Sequence, residues 1–185
     1  MKKWIKVLLI ILVVLILVVG TVYVLFFKKH VNRSGGTVIE NPIKQIVIRN
    51  TDSQGRVNLN VVLDDGVKEF NVDYINYILL ALGVGDLHKS LIGFGNPVVE
   101  LVLDEQVWNS EIKDNSLYTG LGANDNKDLR VTMSKKEAVK ALLSPNIGQF
   151  MKDSVANGNT NIEMIAGKPE LLAKGYLDMY QSLKT

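Results

Sequence analysis

Cysteine is absent from the 185 residues, which excludes an anchor built on a lipidated cysteine. The absence fits an oxidising and a reducing compartment equally. Histidine is scarce: His30 lies in a basic stretch and His88 in Asp86-Leu87-His88-Lys89. Neither a metal pair nor a nucleophile–base pair can be assembled from the two. The chain has no G-x-S-x-G, no Walker loop and no H-E-x-x-H. The clusters Gly83-Val84-Gly85 and Gly93-Phe94-Gly95 stand outside a strand-to-helix phosphate context and read as ordinary turns. No internal repeat or low-complexity tract is present. With no catalytic constellation, the chain is read as a non-enzyme that needs no cofactor and no metal.

Acidic residues are missing from the first 39 positions, while six of the 21 Lys and Arg lie at or before Arg33. The remainder holds 15 basic against 19 acidic residues, a net charge of −4. An acidic domain without a basic stripe argues against nucleic acid as a partner.

One feature is abundant. Val7 to Phe27 is a run of 21 residues without a charge. As a helix rising about 1.5 Å per residue it spans roughly the 30 Å of a bilayer's hydrocarbon. A cleaved signal peptide would have a shorter apolar region and a small-x-small cleavage site, whereas this run ends in Leu25-Phe26-Phe27. The expectation is a basic tail at 1–6, a single transmembrane helix at 7–27, a polar linker at 28–41 and a domain at 42–185. Lys2, Lys3 and Lys6 precede the span, and Lys28, Lys29 and Arg33 follow it. The N-terminal amine tips this near tie toward a cytoplasmic N-terminus and an extracytoplasmic domain. Membrane lipid is therefore an expected partner. The linker reaches about 20 Å, so the domain stays close to the bilayer.

Within the domain, Ile46-Val47-Ile48 opens a strand signal, and Val57, Leu59, Val61 and Leu63 alternate as one buried strand face would. Asp64-Asp65-Gly66 reads as a hairpin turn and Val67–Val72 as the returning strand, giving an extra hairpin region at 42–72. Asp73 caps a helix to Leu82, and Asp86–Ile92 reads as a short second helix. Strands follow at Val98–Leu103, Val107–Lys113, around Leu117–Thr119, and at Leu129–Met133. Ser134-x-x-Glu137 is a capping box for a helix with Val139, Leu142 and Leu143 on its apolar side. Ser144-Pro145 starts another helix with Ile147, Phe150 and Met151 inward. Asn161–Ile165 is a strand that points Ile162 and Met164 inward. Pro169 opens a last helix with Leu172, Tyr176, Met179 and Leu183 on one stripe. Asn124, Asp125, Asn126 and Asp128 put oxygen donors close together. However, Lys127 intervenes and an EF-type loop's glycine and twelfth-position Glu are missing, so the segment reads as a polar turn rather than a calcium site.

The order of a strand meander, LRVTMS running into KKEAVKALL, a second short helix and NGNTNIEMIAGKPELLAKGYLDMYQSL resembles a sterol carrier protein (SCP2-like) domain over residues 97–185, and loosely over 73–185. The hairpin region and the membrane anchor depart from the family's pattern. The resemblance implies an α+β fold: a mostly antiparallel sheet of about five or more strands, helices on one face, and an apolar tunnel for lipid or acyl chains. Val139, Leu142, Leu143, Ile147, Phe150, Met151, Met164, Leu172, Tyr176 and Met179 would line it. By themselves these stripes fit core filling equally well. Two functions stay open. One is a membrane-tethered module that binds lipid or another apolar ligand. The other is a membrane-anchored structural or protein-interaction domain with a solid core.

Overall fold

A computed structural model of the chain describes residues 40–180 apart from Asp178. The expected span at 7–27, most of the linker and Leu183 lie outside the described residues. Among the described residues, no helix is long and apolar enough to cross a membrane.

Five strands form one sheet in the order β3-β2-β1-β4-β5: β1 Val98–Leu103, β2 Gln106–Lys113, β3 Ser116–Leu121, β4 Leu129–Met133 and β5 Thr160–Met164. β1–β2, β2–β3 and β4–β5 are antiparallel, but β1 and β4 run parallel. The sheet is thus mixed, which corrects the mostly antiparallel expectation. The cause is the path after β3. Leu121 pairs with Trp108 and so lies level with Leu101, whereas Leu129 pairs with Val99, nearer the start of β1. Residues 122–128 must cross β2 and β1 and step back toward the start of β1, so β4 begins there and points the same way. At Asp114-Asn115 both residues have positive φ, 52° and 60°, the geometry of a two-residue type I′ hairpin.

Side chains alternate across the sheet. Val99, Leu101, Leu103, Trp108, Ile112, Leu129, Val131 and Met133 point to one face and join the core. Glu100, Glu111, Arg130 and Glu163 point to the other. The helices bury their apolar sides in the same core: α1 Ile43–Arg49, α2 Leu59–Lys68, α3 Val72–Ala81, α4 Lys135–Leu143, α5 Ile147–Ala156 and α6 Lys168–Ala173.

The expected hairpin at 42–72 is overturned, because α1 and α2 occupy that stretch. Asn58 accepts a hydrogen bond from the Val61 amide and caps α2, so the Val57–Leu63 alternation is broken by a helix start. Ile43 and Ile46, three apart, face the core in spite of the β-branched run around them. Gly66 is no turn residue. It lies inside α2, where an added Cβ would come within 2.7 Å of Val139 Cγ1 on α4 and 2.9 Å of Ile43 Cδ1. Its missing side chain lets three helices meet.

Two smaller corrections share one cause: an asparagine two residues from the expected start takes the cap. Asn71 rather than Asp73 caps α3, and Asn146 rather than Ser144 caps α5. The helix expected at 86–92 shrinks to a 3-10 turn at Val84–Asp86 behind Gly83, whose φ is +84°. Ser134 caps α4 as expected, accepting from the Glu137 amide at 3.1 Å. Glu137 does not reach back, however. Its carboxylate accepts from Lys140 Nζ at 3.0 Å and from Ser154 Oγ at 2.9 Å. Thr160 Oγ1 sits 2.7 Å from Ser154 Oγ. With the single Ser154 proton used on Glu137, Thr160 donates, and the chain of bonds ties α4, α5 and β5 together.

Candidate functional site

The ten residues expected to line a tunnel divide three ways. Val139, Leu142, Ile147, Met151, Tyr176 and Met179 are buried together in the one continuous core. Leu143 and Phe150 are half-buried against it. Met164 and Leu172 are 40% and 56% exposed and join neither group. Met164 ends the edge strand β5, where little covers it. For Leu172 the reason is phase. Gly175, at φ +88°, breaks the last helix after Ala173, so Leu171 turns inward in its place. Buried at 0%, Val139 and Met151 touch no space a water could enter.

A polar cluster stands where β1 and β4 begin. Asp128 has both carboxylate oxygens occupied. Lys174 Nζ donates to Oδ1 at 2.6 Å, while the Val98 amide and Tyr176 hydroxyl donate to Oδ2 at 2.7 and 3.0 Å. Lys174, 1% exposed, also donates to Glu170 at 2.7 Å. Burial pushes the Asp128 carboxyl up, and the Lys174 ammonium and the Val98 amide oppose it. Burial, reinforced by the neighbouring Asp128 charge, raises the Tyr176 phenol, which therefore stays a donor. On the sheet's outer face Glu100, its side chain 1% exposed, accepts from Arg130 Nε at 2.8 Å and pairs with Lys127 Nζ at 3.2 Å. Burial alone would raise its carboxyl; hydrogen bonds from Arg130, Lys127 and the Asn124 amide hold it below the usual range.

Asp128 and Lys174 help line an open cleft of about 540 Å³ together with Asn96, Glu111, Asn124, Lys127 and Glu170 among others. A second cleft of about 380 Å³ lies between Leu82–Asp86, the start of α5, and Gly175. The residues read as a calcium-like turn thus serve the protein itself: Asn124 and Lys127 hold Glu100, and Asp128 holds Lys174. Among the described residues no group of acidic and histidine side chains is placed to hold a metal. Sequence reasoning missed Glu100 and Lys174 and read Asp128 only as part of a polar turn. Glu100 had a signal, as the lone charge inside VVELVL. Lys174 offered only its i,i+4 spacing to Glu170, which reads as a surface pair, because the partner that buries it lies 46 residues away. One buried donor is unmatched: Trp108 Nε1 has no acceptor among the described residues.

No protein-family model matches the chain, and no curated protein does. Among solved structures, a double mutant of the sec-alkyl sulfatase PisA1 aligns at 13% identity and TM-score 0.30, over 49% of this chain and 13% of that one. The stereoselective inverting sec-alkylsulfatase Pisa1 from Pseudomonas sp. aligns at 13% identity and TM-score 0.29, over 72% of this chain and 18% of that one. The chain therefore matches less than a fifth of the length of either enzyme, and a likeness this slight carries no argument about its activity.

Proposed function

We propose that the chain is a membrane-anchored interaction domain whose interior is filled and whose partners meet its surface. The observation that carries this reading is the packing of α4. Val139 meets α2 so closely that a methyl group at Gly66 has no room, and Leu142 and Met151 beside it are buried. Protein interiors packed in this way leave little space for an acyl chain. The charged cleft above Asp128 then presents a firm polar surface near the bilayer to which the uncharged run 7–27 ties the domain.

A second reading, an apolar ligand held between helices and sheet as the SCP2-like resemblance implies, is favoured by Trp108. Its unmatched indole N–H offers one donor in an apolar setting, which suits an amphiphile with a single acceptor. Native mass spectrometry of the full chain released from lipid nanodiscs separates the two. The first reading expects the polypeptide mass alone. A lipid mass retained in equal stoichiometry, and lost in Phe150→Asp, favours the second.

A further inference from the structure

We propose that the loop between the 3-10 turn and β1 dips its apolar tip into the lipid bilayer that anchors the chain, an inference that rests on the anchored reading above. Leu91 is 95% exposed, Ile92 is 69% exposed, and Phe94 is also open to solvent. Three large apolar side chains within four residues are an unusual surface for a water-soluble head.

The loop is built rather than slack. The Ser90 amide donates to Gly95 O at 3.0 Å, and the Ile92 amide donates to Ser90 Oγ at 3.2 Å. Gly93 and Gly95 take positive φ, 93° and 79°, which a side chain would resist. Asn96 Nδ2 ties the loop's base to Glu111 at 2.5 Å, and the His88 amide ties the other side to Lys174 O at 3.1 Å. Backbone groups already bonded within the loop lower the cost of leaving water. Lys89 is the only formally charged side chain from residue 88 to residue 97, and it stands at the loop's edge, where its ammonium can stay at headgroup level.

The bilayer is chosen over another occupant because of where the chain outside the structure joins. Asn41, the last linker residue, donates to Leu142 O at 2.7 Å. Asn146, four positions further on, lines one cleft with Asp86 and Gly175, and Gly175 lies against the His88 ring. Linker attachment and apolar loop therefore share one end of the domain. A linker reaching about 20 Å keeps that end within reach of the bilayer. With a single cation, the contact is driven by apolar burial and needs no anionic lipid.

The chain has no cysteine, so one introduced thiol gives a unique label site. Full-length Leu91→Cys and Glu105→Cys are each labelled with an environment-sensitive fluorophore and reconstituted into phosphatidylcholine vesicles with or without lipid spin-labelled near the headgroup. Glu105 is exposed at the opposite end of β1 and serves as the control. Flotation of the vesicles reports the anchor independently. The expected result is co-flotation, with a blue shift and quenching at position 91 and neither at 105. Co-flotation without quenching at 91 overturns the loop contact and leaves the anchor standing. A blue shift at 91 without lipid quenching places a protein there and overturns it too. Failure to float removes the anchored reading, and the loop contact falls with it.

Discussion

Gly66 shows how much one missing methyl group decides. In a helix interior alanine is favoured over glycine by about 1 kcal/mol, so propensity alone makes Gly66→Ala stabilising. Packing opposes it. Val139 Cγ1 and Ile43 Cδ1 lie 2.7 and 2.9 Å from where the new carbon would sit, and both side chains are buried. Val139 is stiff about its first torsion and fully buried in the core. Overpacking of this kind costs about 1–3 kcal/mol, which outweighs the propensity gain. Gly66→Ala is therefore expected to lower the thermal midpoint of the full chain. Gly148→Ala is the matched comparison, since its Cβ meets nothing nearer than Asn146 Oδ1 at 3.5 Å, and it should leave the midpoint level or raise it. Equal midpoints for the two variants would show that α2 and α4 are not pressed together.

Among the elements, those from β1 to α4 were legible because each carries its own local signal: alternation in Leu129, Val131 and Met133, and a Ser134 cap. The helices at 43–68 were not. Their apolar residues satisfy a period of two about as well as a helical one, and the contact that settles the matter joins Gly66 to Val139, far along the chain. Six of the ten expected cavity residues were rightly seen as inward-facing, yet burial is all the stripes encode; they do not say whether the space beyond is filled. The crossing segment 122–128 was legible only as polar. Its work depends on Glu100, which becomes buried once that segment lies over the sheet's outer face. Because the Glu100 carboxyl titrates below its ordinary 4.5 in the folded chain, its stabilising contribution is complete above that value and is lost as pH falls through the depressed one. Glu100→Gln should cost about 1.5–3 kcal/mol near neutrality, the worth of hydrogen bonds to a charged group. Denaturant titrations from pH 7 down to acid should show the gap between wild type and variant closing below pH 4.5. A gap that stays constant with pH would mean Glu100 acts by shape and not by charge.

At the scale of the whole molecule, Lys174 joins parts that local signals leave separate. α6 has six residues, too few to persist alone. Leu171 within it, and Tyr176 and Met179 in the segment that follows, are buried in the core, and Lys174 at its end pairs with Asp128 beside the start of β4. Asp128 O in turn accepts from the Ile165 and Ala166 amides, and Lys174 O accepts from His88. One ion pair thus gathers the start of the central strands, the end of β5, the apolar loop and the C-terminal segment. Lys174→Met leaves a buried carboxylate with only the Val98 amide and Tyr176 hydroxyl, and breaking a buried pair in this way costs about 3–5 kcal/mol. Adding Asp128→Asn removes the uncompensated charge and should return part of that loss. Hydrogen exchange gives the spatial readout: in Lys174→Met the amides of His88, Ile165 and Ala166 should lose protection together, while those of β2 and β3 keep theirs. If protection falls evenly across the sheet, Lys174 supports only global stability. If the double variant is no better than the single, the cost lies in lost packing of the lysine stem and not in the stranded charge.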